Sequence, residues 1–497
     1  MPALRVMVRA DASSSIGLGH LRRCLSLAAA LREAGADVRF VSRNLGVDIA
    51  AFAAAAGLEY RALMSADWQS DAEETGGAAA EWAAHWVVVD HYELDARWHR
   101  LVAQRAGVRL AVIDDLADRD IAAQVLIDHN PSVDHRAKYR GRIAPSTRVL
   151  GGPRYALLDP TYARVAPFKV APQVRSIGIF MGGTDPTDIS SVALRACRIH
   201  AGFSGLIEVA TTSANPHLPA LRRSARQWPQ TTITLDQPLL LDFFGRHDLQ
   251  LGAGGGAVWE RCRVGVPSFC LLAADNQYAT LPVLAGLGAV AVLPDLTSRD
   301  EQEIGRAVRL LADDVAARVR LSERSRSLVD GNGARRCALS LTADTLAVRP
   351  AALHDARTMF AWRNDPASRA VSHDTSELNW NDHLRWVAAV LADPQRCLLI
   401  GRVGAIDVGV IRFDLRADQT AEVSLYLDPE LHGLGLGHSL LLAGEARCRE
   451  LTPALRGFEA TVRAGNDSSQ RMFAGCGYSF REGMWHKAAG TIRLQEI

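Results

Sequence analysis

A glycine-rich segment near the start of the chain ends in a histidine. Gly17 and Gly19 lie in the run Ile-Gly-Leu-Gly-His20, and Arg23 follows three residues later. Glycine permits tight turns and close approach of the backbone to a ligand. The helix that starts here presents free N–H groups and a positive dipole end, which suit a diphosphate. His20 would then stand at this anion site with a side chain that titrates near neutral pH.

Two interpretations of this segment remain open at the level of residue types. It is either a phosphate turn with a catalytic histidine or a glycine-rich loop with an incidental surface histidine. It is not the Gly-x-Gly-x-x-Gly dinucleotide fingerprint, because no third glycine follows at the required spacing.

Two further glycine-rich loops follow apolar runs in the middle of the chain. The first continues from Met181 through Gly182, Gly183, Thr184 and Asp185, and the second contains Gly255 and leads to Glu260. Backbone N–H groups in such loops can hold phosphate oxygens without an obstructing Cβ. A purely conformational role for these glycines is equally compatible with the pattern.

A fourth glycine-rich segment lies near the end of the chain. Gly433, Gly435 and Gly437 alternate between His432 and His438, just before a long helical pattern. Closely spaced glycines at a helix start again predict a pyrophosphate site built from backbone N–H donors.

The elements that must position these loops alternate between strands and helices in the first two thirds of the chain. A first set of predicted strands comprises 4–8, 38–41, 86–90 and 109–114, with a helix at 21–34. After a proline-containing stretch at 166–172, a second set comprises 176–181, 206–210, 232–235, 249–251 and 268–272. Alternating strands and helices indicate parallel sheets with both faces covered. We expect two Rossmann-like domains, residues 1–166 and 167–345, with sites at the carboxyl ends of their strands.

The last part of the chain has a different pattern. Helices are predicted at 355–363 and 380–391, followed by antiparallel-looking strands at 397–403, 408–414 and 421–427 and a helix at 437–449. We expect residues 346–497 to form a separate α+β domain.

Composition excludes several classes of function. The 497 residues carry a formal net charge of +1, which gives no electrostatic reason to expect nucleic acid as a partner. The eight cysteines form no Cys-x-x-Cys pair, and no His/Asp/Glu cluster has metal-ligand spacing, so no metal is expected. Neither a signal peptide nor a membrane span is apparent, and a cytoplasmic location is the default expectation. The sequence leaves the oligomeric state undefined.

The first two thirds resemble a known enzyme family. Arg9-Ala-Asp-Ala-Ser…Ile-Gly-Leu-Gly-His-Leu-Arg-Arg resembles the opening of the UDP-2,4-diacetamido-2,4,6-trideoxy-β-L-altropyranose hydrolases of pseudaminic acid biosynthesis. Further segments agree in order over about residues 1–341: 89–92, 113–115, 152–157, 181–185 and 274–277. The resemblance implies a GT-B-type fold related to MurG-like glycosyltransferases, with release of UDP by water.

The same resemblance implies roles for individual residues. His20 falls on the catalytic histidine of the family, and Tyr92 is expected to contact the sugar or the water, although a packing tyrosine fits as well. Glu260 would hold the ribose hydroxyls, since a carboxylate can accept both hydrogen bonds of a vicinal diol. The remaining expected substrate contacts are Gly17, Gly19, Arg23, Arg154, Gly182, Gly183, Thr184, Asp185, Gly255, Asn276 and Gln277.

The last third resembles the GNAT acetyltransferase superfamily. The resemblance rests on the loop 432–438 and on Asn466…Phe473…Gly477-Tyr478. It implies acetyl-CoA as co-substrate, with expected contacts at Leu427, Gly433, Gly435, Gly437, His438, Asn466 and Phe473. Phe473 stands where many members have a tyrosine acid, so Tyr478, water, another group or no group protonates the thiolate. Glu422 is the candidate base, acting through water, although an outward-facing strand carboxylate fits the pattern as well.

Together the two resemblances predict a bifunctional enzyme. It would acetylate the 4-amino group of a UDP-amino-sugar and later hydrolyse a UDP-diacetamido-sugar of the same route. The alternatives are a MurG-like glycosyltransferase in front and, behind, an acetyltransferase for a protein amine or a legionaminic-type sugar.

Overall fold

A computed structural model describes residues 3–13 and 16–490. The chain divides into two compact units. The first comprises Met1–Arg32 and Asp37–Cys337, and the second comprises Glu33–Ala36 and Ala338–Ile497.

The first unit contains two parallel sheets. The first sheet has seven strands in the order β3-β2-β1-β4-β5-β6-β7. Its strands are β1 Arg5–Ala10, β2 Asp37–Arg43, β3 Glu59–Leu63, β4 Trp86–Asp90, β5 Arg109–Ile113, β6 Val125–Asp128 and β7 Arg148–Gly151. Its helices are α1 Gly19–Glu33, α2 Ile49–Ala55, α3 Trp68–Glu81, α4 Ala96–Ala106 and α5 His135–Lys138.

The second sheet has six strands in the order β10-β9-β8-β11-β12-β13. Its strands are β8 Ser176–Phe180, β9 Leu206–Thr211, β10 Thr231–Leu235, β11 Leu249–Ala253, β12 Ser268–Leu271 and β13 Ala291–Val292. The helices that follow in the chain are α6 Ile189–Arg195, α7 Leu218–Ala225, α8 Leu241–Gly245, α9 Ala257–Val264, α10 Leu281–Gly286, α11 Glu301–Asp313, α12 Val315–Leu328 and α13 Gly333–Leu341.

The central strands of both sheets are buried on both faces. All five residues of β4 are buried, and the same holds for β11. Helices on both faces of a parallel sheet require such continuous apolar strands, and burying each valine or leucine side chain contributes about 1.5–3 kcal/mol. The cores therefore fix the strands rigidly, and the loops at their carboxyl ends are held in place.

Strand order locates the expected crevices. In the first sheet the order reverses between β1 and β4, and in the second between β8 and β11. Ligands of open parallel sheets bind outside the carboxyl ends of the strands at such switch points. The segments that leave β1, β4, β8 and β11 therefore border the expected crevices.

The second unit contains a mixed seven-stranded sheet in the order β14-β15-β16-β17-β18-β20-β19. Its strands are β14 Ala347–Pro350, β15 Arg396–Val403, β16 Ile406–Leu415, β17 Thr420–Leu427, β18 Gly457–Ala460, β19 Ser479–Arg481 and β20 Met484–Ala488. Its helices are α14 Ala356–Asn364, α15 Pro366–Val371, α16 Trp380–Ala392, α17 Leu436–Leu451 and α18 Asp467–Gly475.

One strand pair of this sheet separates along its length. β17 and β18 run parallel and pair only from Thr420↔Gly457 to Glu422↔Glu459, although β17 continues to Leu427. The carboxyl-terminal half of β17 therefore has no partner on that side among the described strands. This leaves a wedge-shaped opening that leads to the loop before α17.

Candidate active sites

His20 and Asp90 meet at the switch point of the first sheet. Asp90 is the last residue of β4, and His20 lies in the first turn of α1, which follows β1. The Nδ1 atom of His20 lies 2.6 Å from Oδ1 of Asp90. A carboxylate at this distance accepts the Nδ1 proton, so it fixes the neutral ring in the tautomer with Nε2 as acceptor. Within the part of the chain that the structure describes, Nε2 makes no hydrogen bond.

Arg23 holds Asp90 from the other side. Its Nε and Nη2 atoms donate to the two carboxylate oxygens at 2.5 Å each. Burial alone would raise the pKa of Asp90, but the charges of Arg23 and His20 outweigh it, and the pKa lies well below its usual range. Asp90 is thus a permanent anion behind His20, while the predicted substrate residue Arg23 is bound to a carboxylate.

Tyr92 supports the histidine with its ring. The Tyr92 and His20 rings meet edge to face, with centroids 4.7 Å apart. The Tyr92 hydroxyl donates to Oδ1 of Asp115 at 2.8 Å. Burial is the main cause that raises its pKa, with Arg23 opposing and Asp115 adding to the rise. The hydroxyl therefore stays protonated and hydrogen-bonded to Asp115. A direct catalytic role of Tyr92 remains a prediction.

Gly17, two residues before α1, has a backbone conformation that favours glycine. Gly17 has φ +79°, in the left-handed region, and its N–H donates to the carbonyl of Ser13 at 2.8 Å. Gly19 is the first residue of α1, whose 15 residues place the positive end of a helix dipole at its N-terminus. A Cβ placed on Gly183, in the loop after β8, would lie 4.0 Å from Leu18 Cδ1. The loops that follow β1 and β8 therefore face each other across the crevice.

The loop after β8 owes its shape to Gly182 and Asp185. Gly182 has φ +103°, and the carbonyl of Gly183 accepts hydrogen bonds from the Thr212 hydroxyl at 2.7 Å. Asp185 is buried, and its two oxygens accept the N–H groups of Ile189 and Ser190. Asp185 therefore caps the N-terminus of α6. Gly182, Gly183 and Thr184 lie in the same loop, and their contacts with a substrate remain predictions.

The loop after β11 carries Glu260 one turn into α9. The Tyr162 hydroxyl donates to Oε2 of Glu260 at 2.9 Å, which leaves Oε1 available. Burial raises the pKa of Glu260, and the Tyr162 hydrogen bond and Arg22 oppose that rise. Gln277 fastens this loop, because its Oε1 accepts the N–H groups of Gly254 and Ala273 at 3.0 Å each.

The other three predicted substrate contacts in this part of the chain are Gly255, Asn276 and Arg154. A Cβ on Gly255 would approach Nε2 of Gln277 to 3.4 Å, so the glycine lies directly against that amide. Asn276 is exposed. Arg154 is also exposed, on the segment after β7, three strands from β4, and its guanidinium lies over the Tyr155 ring. The structure does not bring Arg154 together with His20.

Sequence reasoning missed Asp90 and Asp115 as site residues. Asp90 ends an apolar strand, and Asp115 lies two residues beyond the end of β5, so both stand where the carboxyl ends of strands converge. A polar residue at the carboxyl end of a strand could have identified both as candidate site residues. The pairing of His20 with Asp90 could not be predicted in this way, because 70 residues separate them.

The second unit presents its glycine loop at the wedge between β17 and β18. Gly433 has φ +83° and Gly435 φ +85°, and Gly435 is the N-cap of α17 without a side-chain cap. A Cβ on Gly437 would lie 3.0 Å from Met472 Sδ and 3.8 Å from Leu427 Cδ1. His438 is exposed beside them. The uncapped N–H groups of this 16-residue helix fit a pyrophosphate.

Glu422 lies at the vertex of the wedge, in an ion pair. It occupies the last paired position of β17, opposite Glu459 of β18. Arg416 donates to Oε2 of Glu422 at 2.8 Å and also binds Glu459. His486 Nδ1 lies 3.4 Å from the other oxygen of Glu459. The candidate base is thus on the open face of the sheet, with Oε1 left for a water or an amine.

The aromatic residues near the end of the chain have structural partners. Phe473 is buried, with its ring centroid 4.9 Å from that of Tyr478. The Tyr478 hydroxyl donates to Oε1 of buried Glu445 at 2.8 Å, and burial followed by this carboxylate raises its pKa. Tyr478 is therefore unsuited as a thiolate acid. Asn466 caps α18 by accepting the N–H of Ser469 at 3.2 Å.

The described residues, 3–13 and 16–490, contain no group of three or more histidine, cysteine or acidic side chains arranged to hold a metal ion. Within the same ranges, no helix has both the length and the apolar composition that crossing a bilayer requires.

Residues 345–479 match the family model described as an acetyltransferase (GNAT) domain. The second unit therefore contains a GNAT acetyltransferase domain.

The chain is also similar to two bacterial proteins of polysaccharide and nucleotide-sugar metabolism. It is 29% identical over 192 residues to the spore coat polysaccharide biosynthesis protein SpsG of Bacillus subtilis (strain 168), over 38% of this chain and 56% of that protein. It is 22% identical over 286 residues to the UDP-2,4-diacetamido-2,4,6-trideoxy-beta-L-altropyranose hydrolase of Campylobacter jejuni subsp. jejuni serotype O:2, over 57% of this chain and 97% of that protein. The chain thus spans just over half the length of the Bacillus relative.

A solved structure shares the fold of the first two thirds. It is a protein described as a UDP-N-acetylglucosamine 2-epimerase from Listeria monocytogenes, with a TM-score of 0.50 and 13% identity, over 69% of this chain and 97% of that chain. With the two parallel sheets and the GNAT domain, the predicted fold class is confirmed: a GT-B-type pair of Rossmann-like domains followed by an α+β GNAT domain.

Proposed function

We propose that the first unit is a UDP-sugar hydrolase and that the GNAT domain acetylates an amino group of a UDP-amino-sugar. The specific first substrate would be UDP-2,4-diacetamido-2,4,6-trideoxy-β-L-altropyranose, the compound in the name of the Campylobacter relative. The observation that carries the proposal is the 2.6 Å contact between His20 Nδ1 and Asp90 Oδ1 at the switch point of the first sheet.

In the hydrolysis, His20 acts as general base. Water oxygen attacks the anomeric carbon while His20 Nε2 takes a proton from that water. The bond from the anomeric carbon to the diphosphate oxygen breaks, and its electron pair leaves with UDP. Attack opposite the leaving group inverts the anomeric centre. UDP is a good leaving group, so no pair of close carboxylates is required, and base assistance contributes roughly 10²–10⁴-fold.

Asp90 and Arg23 act on the histidine and not on the substrate. The Asp90 anion holds Nδ1–H and stabilises the imidazolium that forms when His20 accepts the proton. Arg23 keeps Asp90 in place with two hydrogen bonds. Tyr92 orients the ring by edge contact.

The nucleotide is assigned to the loops of both sheets. The N-terminus of α1 with Gly17 and Gly19, and the loop with Gly182 and Gly183, offer backbone donors to the diphosphate. Glu260 has Oε1 available for a ribose hydroxyl. Gln277 shapes the same loop.

In the GNAT domain, the loop with Gly433, Gly435 and Gly437 fits the pyrophosphate of acetyl-CoA, which supplies the acetyl group when bound. The amine nitrogen attacks the acetyl carbonyl carbon and gives up a proton. The carbon–sulfur bond breaks, and its electron pair leaves with coenzyme A as the thiolate. Glu422 takes the amine proton through a water. We assign the 4-amino group of the sugar as acceptor because its product precedes a 2,4-diacetamido sugar in the same chemistry.

Two incubations of the full chain test the proposal. UDP-2,4-diacetamido-trideoxy-hexose without any acceptor should release UDP and free sugar. A UDP-4-amino-sugar with acetyl-CoA should gain one acetyl group by mass spectrometry. UDP release only upon addition of an acceptor sugar would make the first unit a glycosyltransferase, and acetylation of proteins but not of the nucleotide sugar would overturn the second assignment.

A further inference from the structure

Arg261 is a buried cation without a carboxylate. It lies on α9, next to Glu260, and is 1% exposed. Its Nη2 donates to the carbonyl of Ala253 at 2.6 Å and contacts Cys270 Sγ at 3.4 Å. Its Nε and Nη1 have no hydrogen-bond partner, and over residues 3–13 and 16–490 no acidic side chain forms an ion pair with it.

Such a group lowers the stability of the unliganded protein. Arginine is almost never fully buried unless it is paired, and an uncompensated buried charge is among the most expensive features of a fold. Buried Arg9 follows the rule, since it binds the carboxylates of Asp11 and Asp71, whereas Arg318 and Arg261 have backbone carbonyls in place of carboxylates. A polar group left without a partner at such a place requires an explanation.

The position of the guanidinium suggests the explanation. It packs against the carboxyl end of β11, where its Nη2 binds the Ala253 carbonyl and a Cβ on Gly252 would collide with its Nη1 atom. The chain thus has glycine where the cation needs the space. The loop 254–256 leaves this strand at the switch point of the second sheet, which is the expected nucleotide crevice.

We propose that Arg261 is the buried counter-charge of a nucleoside diphosphate bound over the loop 254–256. It acts through the loop and not by contact: its positive field favours the diphosphate, and the bound anion adds negative charge near a guanidinium that forms no ion pair within the described residues. This inference rests on the assignment of the first unit as a UDP-sugar enzyme and names the residue that makes the site select a diphosphate over a neutral nucleoside.

The test compares UDP with uridine by isothermal titration calorimetry on the full chain. In Arg261→Met the affinity for UDP should fall roughly tenfold or more, as a unit charge acting over several ångströms in a partly dry site predicts. The affinity for uridine should change less than about threefold, because uridine carries no charge for Arg261 to attract. The unliganded variant should melt at the same or a higher temperature, since an apolar chain of similar length replaces an unpaired buried charge.

Arg318→Met is the matched control. Arg318 is also fully buried and bonded only to backbone carbonyls, those of Ala171 and Pro172, on α12. The Arg318→Met variant should have the same ratio of UDP to uridine affinity as the wild-type chain. Arg261→Lys, which keeps the charge, should retain most of the preference for UDP and serves as the readout if Arg261→Met does not fold.

The outcomes separate this inference from the proposed function. An unchanged UDP preference in Arg261→Met, or equal loss for UDP and uridine with a lower melting temperature, would assign Arg261 a purely structural role. A wild-type chain that binds neither ligand would overturn the UDP-sugar assignment and this inference together.

Discussion

Asp90 is the residue on which the chemistry of His20 depends. Without its carboxylate the imidazole loses the hydrogen bond that fixes its tautomer and the anion that stabilises its protonated form. The pKa of Asp90 lies far below neutrality because Arg23 and His20 outweigh burial, so the carboxylate is ionised at any working pH. An amide at the same position can take the shape of the carboxylate but not its charge.

We therefore expect Asp90→Asn to lower kcat for UDP release by about 10²–10⁴-fold, the range of general-base assistance. The affinity for UDP, measured by calorimetry, should change little. Asp95→Asn, which removes a carboxylate that caps α4 elsewhere in the unit, is the control and should be near wild type. A fully active Asp90→Asn enzyme would show that His20 does not need the Asp90 carboxylate.

Tyr92 gives a separate prediction at the same scale. Its ring packs on His20 and its hydroxyl is committed to Asp115. Tyr92→Phe keeps the ring, so kcat should fall less than about tenfold, the loss expected from one hydrogen bond. Tyr92→Ala removes the packing and should cost much more. Equal and large losses in both variants would mean that the hydroxyl takes part in the reaction directly.

Individual site residues were predictable where a sequence motif defines them and not where the fold does. His20, Glu260 and the glycines lie in recognisable runs, and Asp90 and Asp115 lie in segments that match the family. Their pairing with His20 and Tyr92 was not predictable, because it joins distant segments. The same holds for Tyr162 and Glu260, which are 98 residues apart.

At the level of elements, the long apolar or strongly periodic segments were predictable. Strands β1, β4 and β11 and helices α1 and α17 fall where the pattern placed them, within a few residues. Strands β3, β6, β7, β13, β14 and β18–β20 were missed. Several have only three or four residues, and β3 and β19 carry mostly exposed side chains, so neither a continuous apolar run nor a clear alternation marks them.

The loop before α17 provides the prediction at this scale. Gly435 has φ +85°, which costs a residue with a Cβ roughly 1–2 kcal/mol. Gly435→Ala should therefore raise KM for acetyl-CoA several-fold and leave UDP release unchanged. Gly483→Ala, at φ +84° between β19 and β20, carries the same strain away from the loop. If both variants raise KM equally, the effect is general strain and not loss of a pyrophosphate site.

The whole molecule combines two folds, and two buried groups of the first unit, His99 and Asp11, make its stability depend on pH in the same direction. Burial lowers the pKa of His99 from 6.5 to about 3, so the folded state binds this proton only at a lower pH than the unfolded state does. Arg9 and His91 outweigh burial at Asp11, whose pKa lies well below its ordinary value of 3.8. Both groups have depressed folded pKa values, so both lose stabilisation as pH falls.

We expect the contributions of His99 and Asp11 to the free energy of unfolding of the first unit to decrease on acidification from about pH 7. The loss from His99 begins near pH 6.5, and the loss from Asp11 adds to it below about pH 4. Urea unfolding at a series of pH values measures this. His99→Phe should flatten the upper part of the curve, whereas His85→Gln, at an exposed site, should not. A first unit that is most stable near pH 5 would contradict the assignment of His99 as a neutral buried ring.

The central claim is that His20, held by Asp90, activates water at the anomeric carbon of a UDP-sugar. Proton NMR of the full chain with UDP-2,4-diacetamido-2,4,6-trideoxy-β-L-altropyranose, in the absence of any acceptor, tests it most directly. Free sugar should appear first as the inverted anomer together with UDP, and His20→Asn should slow this by at least about 10²-fold. Retention of the anomeric configuration, or the wild-type rate in His20→Asn, would contradict it.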